Sequence, residues 1–340
     1  MIKKRMVLLV VLLVGLMSVL GACGEKPGTE GQASSGGVTK VKVGISQIVE
    51  HTSLDQARKG FIAALNDAGY VAGENLELDF QNAQGDQNNA ATIAQKFASD
   101  SKDLVLAIGT PSAQTAAQNI KDVPVLFTAV TDPVGAGLVQ SMEQPGGNVT
   151  GTTDLHPEAI SKLMEFIGAN VKDIKAVGIM ANEGEQNTIT NLKQAEDALN
   201  KLGIKVVKAP VTATSEVKQA AESLIGKVQA IYVPSDNTIV SGLSAAIGVA
   251  NSNKIPLFVA EKDSVKAGGV ASFGFEYYDL GYTTGKMAVE ILKDGKKASD
   301  LPVRIPETLD LALNMKAAAE QGFDVTDAIK AEVKAENLFE

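Results

Sequence analysis

Leu104-Val105-Leu106-Ala107-Ile108-Gly109-Thr110-Pro111-Ser112 is the stretch on which the fold of this chain turns. Leu104 to Gly109 is an unbroken apolar run, the mark of a strand buried on both faces of a parallel sheet. Thr110 suits the cap of a following helix, and Pro111 suits its first turn, where no backbone N–H is needed. A buried strand therefore feeds directly into a helix from Pro111 to Asn119. Upstream, Val41 to Ser46 and Leu76 to Gln81 read as strands, and Leu54 to Ala68 and Asn88 to Ser99 as helices. Downstream, Val125 to Val130 is the next strand. Strands alternating with helices in this way predict an α/β fold with a doubly wound parallel sheet.

The second half repeats the order. Ala176 to Met180 answers Val41 to Ser46, and Ile189 to Leu202 with Gly203 answers the first helix with Gly69. Val206 to Ala209, a helix around Ser215 to Leu224, and Ala230 to Val233 follow. Lys254-Ile255-Pro256-Leu257-Phe258-Val259 echoes Asp122-Val123-Pro124-Val125-Leu126-Phe127. Corresponding elements recur after roughly 125–135 positions, far beyond solenoid repeat lengths. Two similar lobes are expected, which also suits a 340-residue chain.

The N-terminus carries a different signal. Lys3, Lys4 and Arg5 precede an apolar stretch from Met6 to Leu20, short for a membrane span and of signal-peptide length. It ends in Leu20-Gly21-Ala22-Cys23, which resembles a bacterial lipobox, and Cys23 is the only cysteine. A single cysteine in an exported chain has no internal disulfide partner, and lipidation gives it a role. Residues 1–22 are therefore read as a lipoprotein signal peptide, and 23–39, rich in Gly and Ser, as a flexible linker after lipidated Cys23. The expected localisation is extracytoplasmic, lipid-anchored to the cell membrane.

Net charge is −9 overall. Setting aside the three basic residues of the leader leaves 28 Lys and Arg against 40 Asp and Glu, which argues against a nucleic-acid partner. No phosphate-cradling glycine loop and no metal-ligand spacing is present, so no cofactor is expected. His51 and His156 are the only histidines and are isolated in sequence, and the one thiol is committed to the terminus; an enzyme is not indicated.

In open parallel sheets ligands gather at the C-terminal strand ends. Gly109-Thr110-Pro111-Ser112 reads equally well as an ordinary helix cap and as a carboxylate seat, its free N–H groups and positive dipole end facing the cleft. The other strand-end loops carry Asp132, Asp154, Glu185, Asp236 and Glu261. Any one of them alone fits a turn or cap; five on converging loops suit a ligand ammonium group, because a buried cation needs a paired acceptor. A zwitterion is the expected guest. Micromolar affinity requires about 8 kcal/mol, within reach of a few charged hydrogen bonds at roughly 1.5–3 kcal/mol each. Phe127, Tyr232, Phe273, Phe275, Tyr277 and Tyr278 are the candidates for an apolar wall.

The run Val43-Gly44-Ile45-Ser46-Gln47-Ile48-Val49-Glu50-His51, with Ala107 to Gln114, Thr131-Asp132-Pro133-Val134-Gly135 and Asn148-Val149-Thr150-Gly151, resembles a family of bacterial ABC-transporter substrate-binding proteins. The likeness extends from Val41 to about Asp324. It implies a type I periplasmic-binding-protein-like fold, a hinge of three crossovers, and partnership with an ABC permease and its cytoplasmic ATPase. Because the family includes tryptophan- and tyrosine-binding proteins, an aromatic amino acid is the implied ligand. The resemblance puts Gln47, His51, Thr110, Ser112, Thr131, Asp132, Asp154, Asn187, Asp236 and Asn237 on pocket-facing loops, beside Glu185 and Glu261 from the loop reading. It implies crossovers near Gly147 to Asp154, Val270 to Phe275 and Arg304 to Leu313, with the helix Leu280 to Leu292 returning to the first lobe. Lobe 1 is then 40–150 plus 278–305, and lobe 2 is 151–277 plus 306–340. A monomer is expected. A sensor presenting its closed state to a membrane receptor would carry the same sequence features.

Overall fold

A computed structural model describes residues 40–340; the leader, Cys23 and the linker lie outside the described residues. The first sheet is parallel in the order β2-β1-β3-β4-β5. Its strands are β1 (Val41–Gln47), β2 (Leu76–Asn82), β3 (Leu104–Ile108), β4 (Val125–Val130) and β5 (Val149–Thr153). Both β3 and β4 are buried along their whole length, as their uninterrupted apolar runs require, whereas β2 at the edge alternates with partly exposed residues. Helices α1 (Thr52–Asp67), α2 (Gln87–Ser99) and α3 (Thr110–Asn119) connect these strands.

The second sheet repeats the order as β7-β6-β8-β9, from β6 (Ala176–Ala181), β7 (Lys205–Pro210), β8 (Ala230–Val233) and β9 (Leu257–Val259). Here α4 (Ala159–Asn170) leads into β6 and α5 (Gln186–Lys201) follows it. A third sheet of β10 (Ala271–Gly274), β11 (Asp310–Asn314) and β12 (Leu338–Phe339) continues its edge, where Val270 N donates to Leu257 O at 2.8 Å. Each lobe thus has its own sheet and its own apolar cores.

The chain passes between the lobes three times. The first passage comes after Thr153, past the boundary expected at residue 150, because all of β5 belongs to the first sheet, pairing with β4 from Val149 to Thr153. The second lies between Gly274 and Tyr277. The helix Tyr277–Leu292 then packs on α1, and glycine makes the approach possible: a Cβ on Gly60 would sit 1.9 Å from Tyr278 O, and one on Gly281 1.8 Å from Ala57 O. Arg304 next runs beside β5, with Arg304 N donating to Gly151 O and Thr153 N donating to Arg304 O, both at 3.0 Å. The chain then returns to β11. These adjacent crossings bring the C-terminal strand ends of the two sheets to face one gap.

Candidate functional site

The two lobes touch across that gap. Ser53 at the start of α1 donates its hydroxyl to Glu261 Oε2 at 2.6 Å, and both residues are buried. Nearer the rim, Thr190 on α5 donates to Asp132 Oδ2 at 3.2 Å. Hydrogen bonds between lobes exist only when a hinged molecule is closed, so this is the closed arrangement.

Closure leaves a narrow pocket of about 20 Å³ between the lobes. Its lining carries Asp154 and Glu261, with Phe273 of β10, Phe275 and Tyr277 at the start of the helix Tyr277–Leu292. The remainder is formed by Leu155, Ala159 and Ile160, by Asn191, and by Ser235 and Ala260. No Lys or Arg borders it. Thr131 donates to Asp154 Oδ1 at 2.9 Å, Tyr277 OH donates to Asp154 Oδ2 at 3.0 Å, and Ser264 adds to Ser53 at Glu261. Burial with no cation nearby pushes Asp154 up to about 6. Glu261 rises to about 7 for the same reason, with Asp263 adding repulsion. The Phe275 and Tyr277 rings stack at 5.3 Å, which stiffens the aromatic wall.

The remaining acids serve other ends. Asp236 caps the short helix Asn237–Ser241, accepting from Ile239 N, and also accepts from Asn182 N at 2.7 Å and Thr188 Oγ1 at 2.8 Å. Glu185 spends both oxygens on the same helix start. Oε1 takes Thr238 N and Oγ1, and Oε2 takes Asn237 N and Nδ2 and Asn187 Nδ2. Both acids are buried and occupied within lobe 2. The five acids thus lie apart: Asp154 and Glu261 line the pocket, Glu185 and Asp236 tie loops together, and Asp132 sits at the rim.

Other predicted residues divide similarly. Gln47 is spent inside lobe 1, donating to Val49 O and Asp55 Oδ1 and accepting from Arg58, and it does not border the cavity. Gly109, not Thr110, takes the N-cap of α3 in a left-handed conformation (φ 89°), with a Cβ there 2.6 Å from Ile48 Cγ2. The Thr110 hydroxyl is buried without a partner, and Ser112 lies 3.5 Å from Ser46 Oγ, but neither borders the cavity. Asn187 and Asn237 join the Glu185 network. His51 lies against Asn237 with a partnerless buried Nδ1, and burial holds it down to about 4, hence neutral. Of the aromatic candidates, Phe127 is core, Tyr278 is exposed against Tyr282, and Tyr232 is buried with its hydroxyl unpartnered.

Sequence reasoning missed Ser53 and Asn191. Ser53 lies two residues after His51, just beyond the run that ends there. Asn191 falls four residues after Asn187, on the same face of α5, and that spacing was the available signal. Larger clefts flank residues 303–306, but they open to solvent beside exposed Val134 and Ile305, so size does not select the site. No group of residues fit to hold a metal ion occurs among the described residues.

Residues 42–336 match the family described as ABC transporter substrate binding protein. The chain belongs to this family. A protein described as tyrosine-binding, from Clostridioides difficile strain R20291, is 43% identical over 315 residues, covering 92% of this chain and 90% of that one. A domain from Streptococcus pneumoniae solved with L-Trp is 36% identical and superposes with a TM-score of 0.82 over 87% of this chain and 99% of that one. A substrate-binding protein with adhesive properties from Clostridium difficile, solved ligand-free and open, is 41% identical yet reaches only 0.65, over 88% and 98%. The more identical structure, which is open, superposes less well than the one solved with L-Trp. The fold is that of type I periplasmic binding proteins. As a substrate-binding protein of an ABC transporter it works outside the cytoplasm, and its partners are a small molecule and a permease.

Proposed function

We propose that this protein captures an aromatic amino acid, tyrosine or tryptophan, and delivers it to its permease as a monomer tethered through lipidated Cys23. The observation that carries the reading is the cavity itself. A half-buried carboxylate, Asp154 at the first crossing, and a buried one, Glu261 after β9, line a space with aromatic residues and no basic residue. Carboxylates that keep acceptor capacity away from any Lys or Arg suit a cation, and an α-ammonium group supplies one. Phe273, Phe275 and Tyr277 offer an aromatic side chain a stacking surface. The names of the two relatives, one tyrosine-binding and one solved with L-Trp, agree with that chemistry. Asp154 and Glu261 are the proposed ammonium acceptors, Thr131 orients Asp154, and the three crossings form the hinge between the proposed lobes. Ligand binding then stabilises the closed form that a transporter recognises.

Calorimetry on the soluble protein with the twenty amino acids tests this. Tyrosine or tryptophan should bind at micromolar affinity or better, with aliphatic and acidic amino acids at least about tenfold weaker. Tight binding of a solute without an amino group, and none of an amino acid, would end the proposal. Radiolabelled palmitate incorporated into wild type but not into Cys23→Ala tests the anchor.

A further inference from the structure

An amino acid brings two charges, and the acids of the cavity answer only one. The other must meet donors, and the cavity offers few. The Tyr277 hydroxyl is already given to Asp154. Asn191 is 3% exposed, borders the cavity, and holds an Nδ2 with no hydrogen-bond partner. Its neighbour one turn earlier, Asn187, shows the contrast: its Nδ2 is spent on Ser235 O and Glu185. Next to Asn191 on the cavity wall lie Ala159 and Ile160, the first two residues of α4. That helix offers little of its own: its N-cap residue is the acid Glu158, and Ala159 N already donates to His156 O at 3.1 Å. The start of α3, the other seat the sequence offered, does not border this space; Pro111 there faces an outer groove shared with Asp86 and Glu185.

We infer that Asn191 Nδ2 holds the carboxylate of the ligand and so selects an amino acid over the corresponding amine. This inference rests on the aromatic amino acid reading above. Asn191 donates from its free Nδ2 to a carboxylate oxygen. Cation and anion are then held by different residues of one pocket lining, with the aromatic side chain against Phe273 and Phe275. An amine lacking the carboxylate leaves the Asn191 amide unsatisfied in the closed form, and discrimination follows from that unmade bond.

The test is calorimetry of wild type, Asn191→Ala and Asn191→Asp with four probes: L-tyrosine, tyramine, L-tryptophan and tryptamine. Wild type should prefer each amino acid to its amine by about a hundredfold or more. Asn191→Ala should weaken the amino acids by about ten- to a hundredfold while changing the amines by less than about threefold. Asn191→Asp, nearly isosteric, should abolish amino acid binding by charge repulsion and retain the amines. Equal weakening of acid and amine in Asn191→Ala, or undiminished tyrosine or tryptophan binding by Asn191→Asp, overturns the inference while leaving the aromatic amino acid reading in place. Wild type that binds neither tyrosine nor tryptophan overturns that reading and this inference with it. Unchanged melting temperatures of the two unliganded variants separate lost recognition from lost folding.

Discussion

Glu185 and Asp236 in the second lobe, and Glu261 and the half-buried Asp154 at the cavity, are four acids on strand-end loops, and they behave as two different things. The first pair receives backbone N–H groups: Thr238 and Asn237 at Glu185, Ile239 and Asn182 at Asp236. Those donors are fixed by the fold, point one way, and leave the carboxylates little to offer a ligand. The second pair receives hydroxyls from Thr131, Tyr277, Ser53 and Ser264. A hydroxyl rotates, and a carboxylate holding two of them keeps acceptor capacity to spare. Burial therefore fails to separate a structural acid from a ligand-facing one; the kind of donor that reaches it succeeds.

The strongest way to break this contrast is to remove one acid from each pair. Asp236→Ala should lower unfolding free energy by about 3–5 kcal/mol, because it strands two backbone N–H groups and a hydroxyl in a buried site. Urea denaturation measures it. Glu261→Gln should leave stability within about 1 kcal/mol of wild type or raise it, since a buried unpaired charge is removed. If Asp236→Ala were the milder variant, the division between the pairs would be wrong. Ligand affinity should reverse the order: Glu261→Gln, still folded, should lose about 3 kcal/mol, more than a hundredfold in Kd, as the ammonium loses an ionised partner.

Acidity sharpens the comparison further. Asp154 rises to about 6 and Glu261 to about 7 in the closed cavity, above ordinary values of 3.8 and 4.5. Carboxyls whose folded pKa is raised bind protons in the native state, so their share of stability is present at low pH and is lost as pH climbs from about 4 to 7. Asp236, pushed up to about 7 by burial, acts in the same direction, while His51, held down to about 4, acts oppositely below pH 6.5. Neither borders the cavity, so both cancel when liganded and free protein are compared. An ammonium ligand relieves the penalty only where the cavity acids are ionised. The ligand-induced rise in Tm should therefore be larger at pH 8 than at pH 5, by an amount worth about 1–2 kcal/mol. Thermal shift at a fixed ligand concentration reads it, and a shift that shrinks with rising pH would place the cation elsewhere.

Much of the fold was legible because it is written locally. The apolar run from Leu104, the Pro at the start of α3 and the repeated Ile255-Pro256-Leu257-Phe258 and Val123-Pro124-Val125-Leu126 segments each declare themselves within a few residues. The fates of the acids were not legible, since the donors to Glu185 sit at Asn237 and Thr238, and the donor to Glu261 sits at Ser53 in the other half of the chain. Sequence placed all five acids at strand ends; only three-dimensional pairing sorted them. Thr110 failed as a cap for a local reason that composition hides, because Gly109 adopts the left-handed conformation and takes the cap position itself.

The smallest expected effects test whether the cavity pair also fastens the lobes. Ser53 donates to Glu261 from across the gap in a buried setting, and Thr190 donates to Asp132 across the same gap at the partly open rim. A hydrogen bond to a buried carboxylate contributes about 1.5–3 kcal/mol, and one at a wet rim well under 1. Ser53→Ala should therefore speed ligand dissociation by about tenfold with little change in the association rate, since the bond forms only once the lobes have met. Thr190→Ala should speed it by less than about threefold, because water replaces the lost hydroxyl at Asp132. Stopped-flow displacement resolves both rates. Were Thr190→Ala the more damaging, the lobes would be held at their rim, and Glu261 would serve the ligand alone.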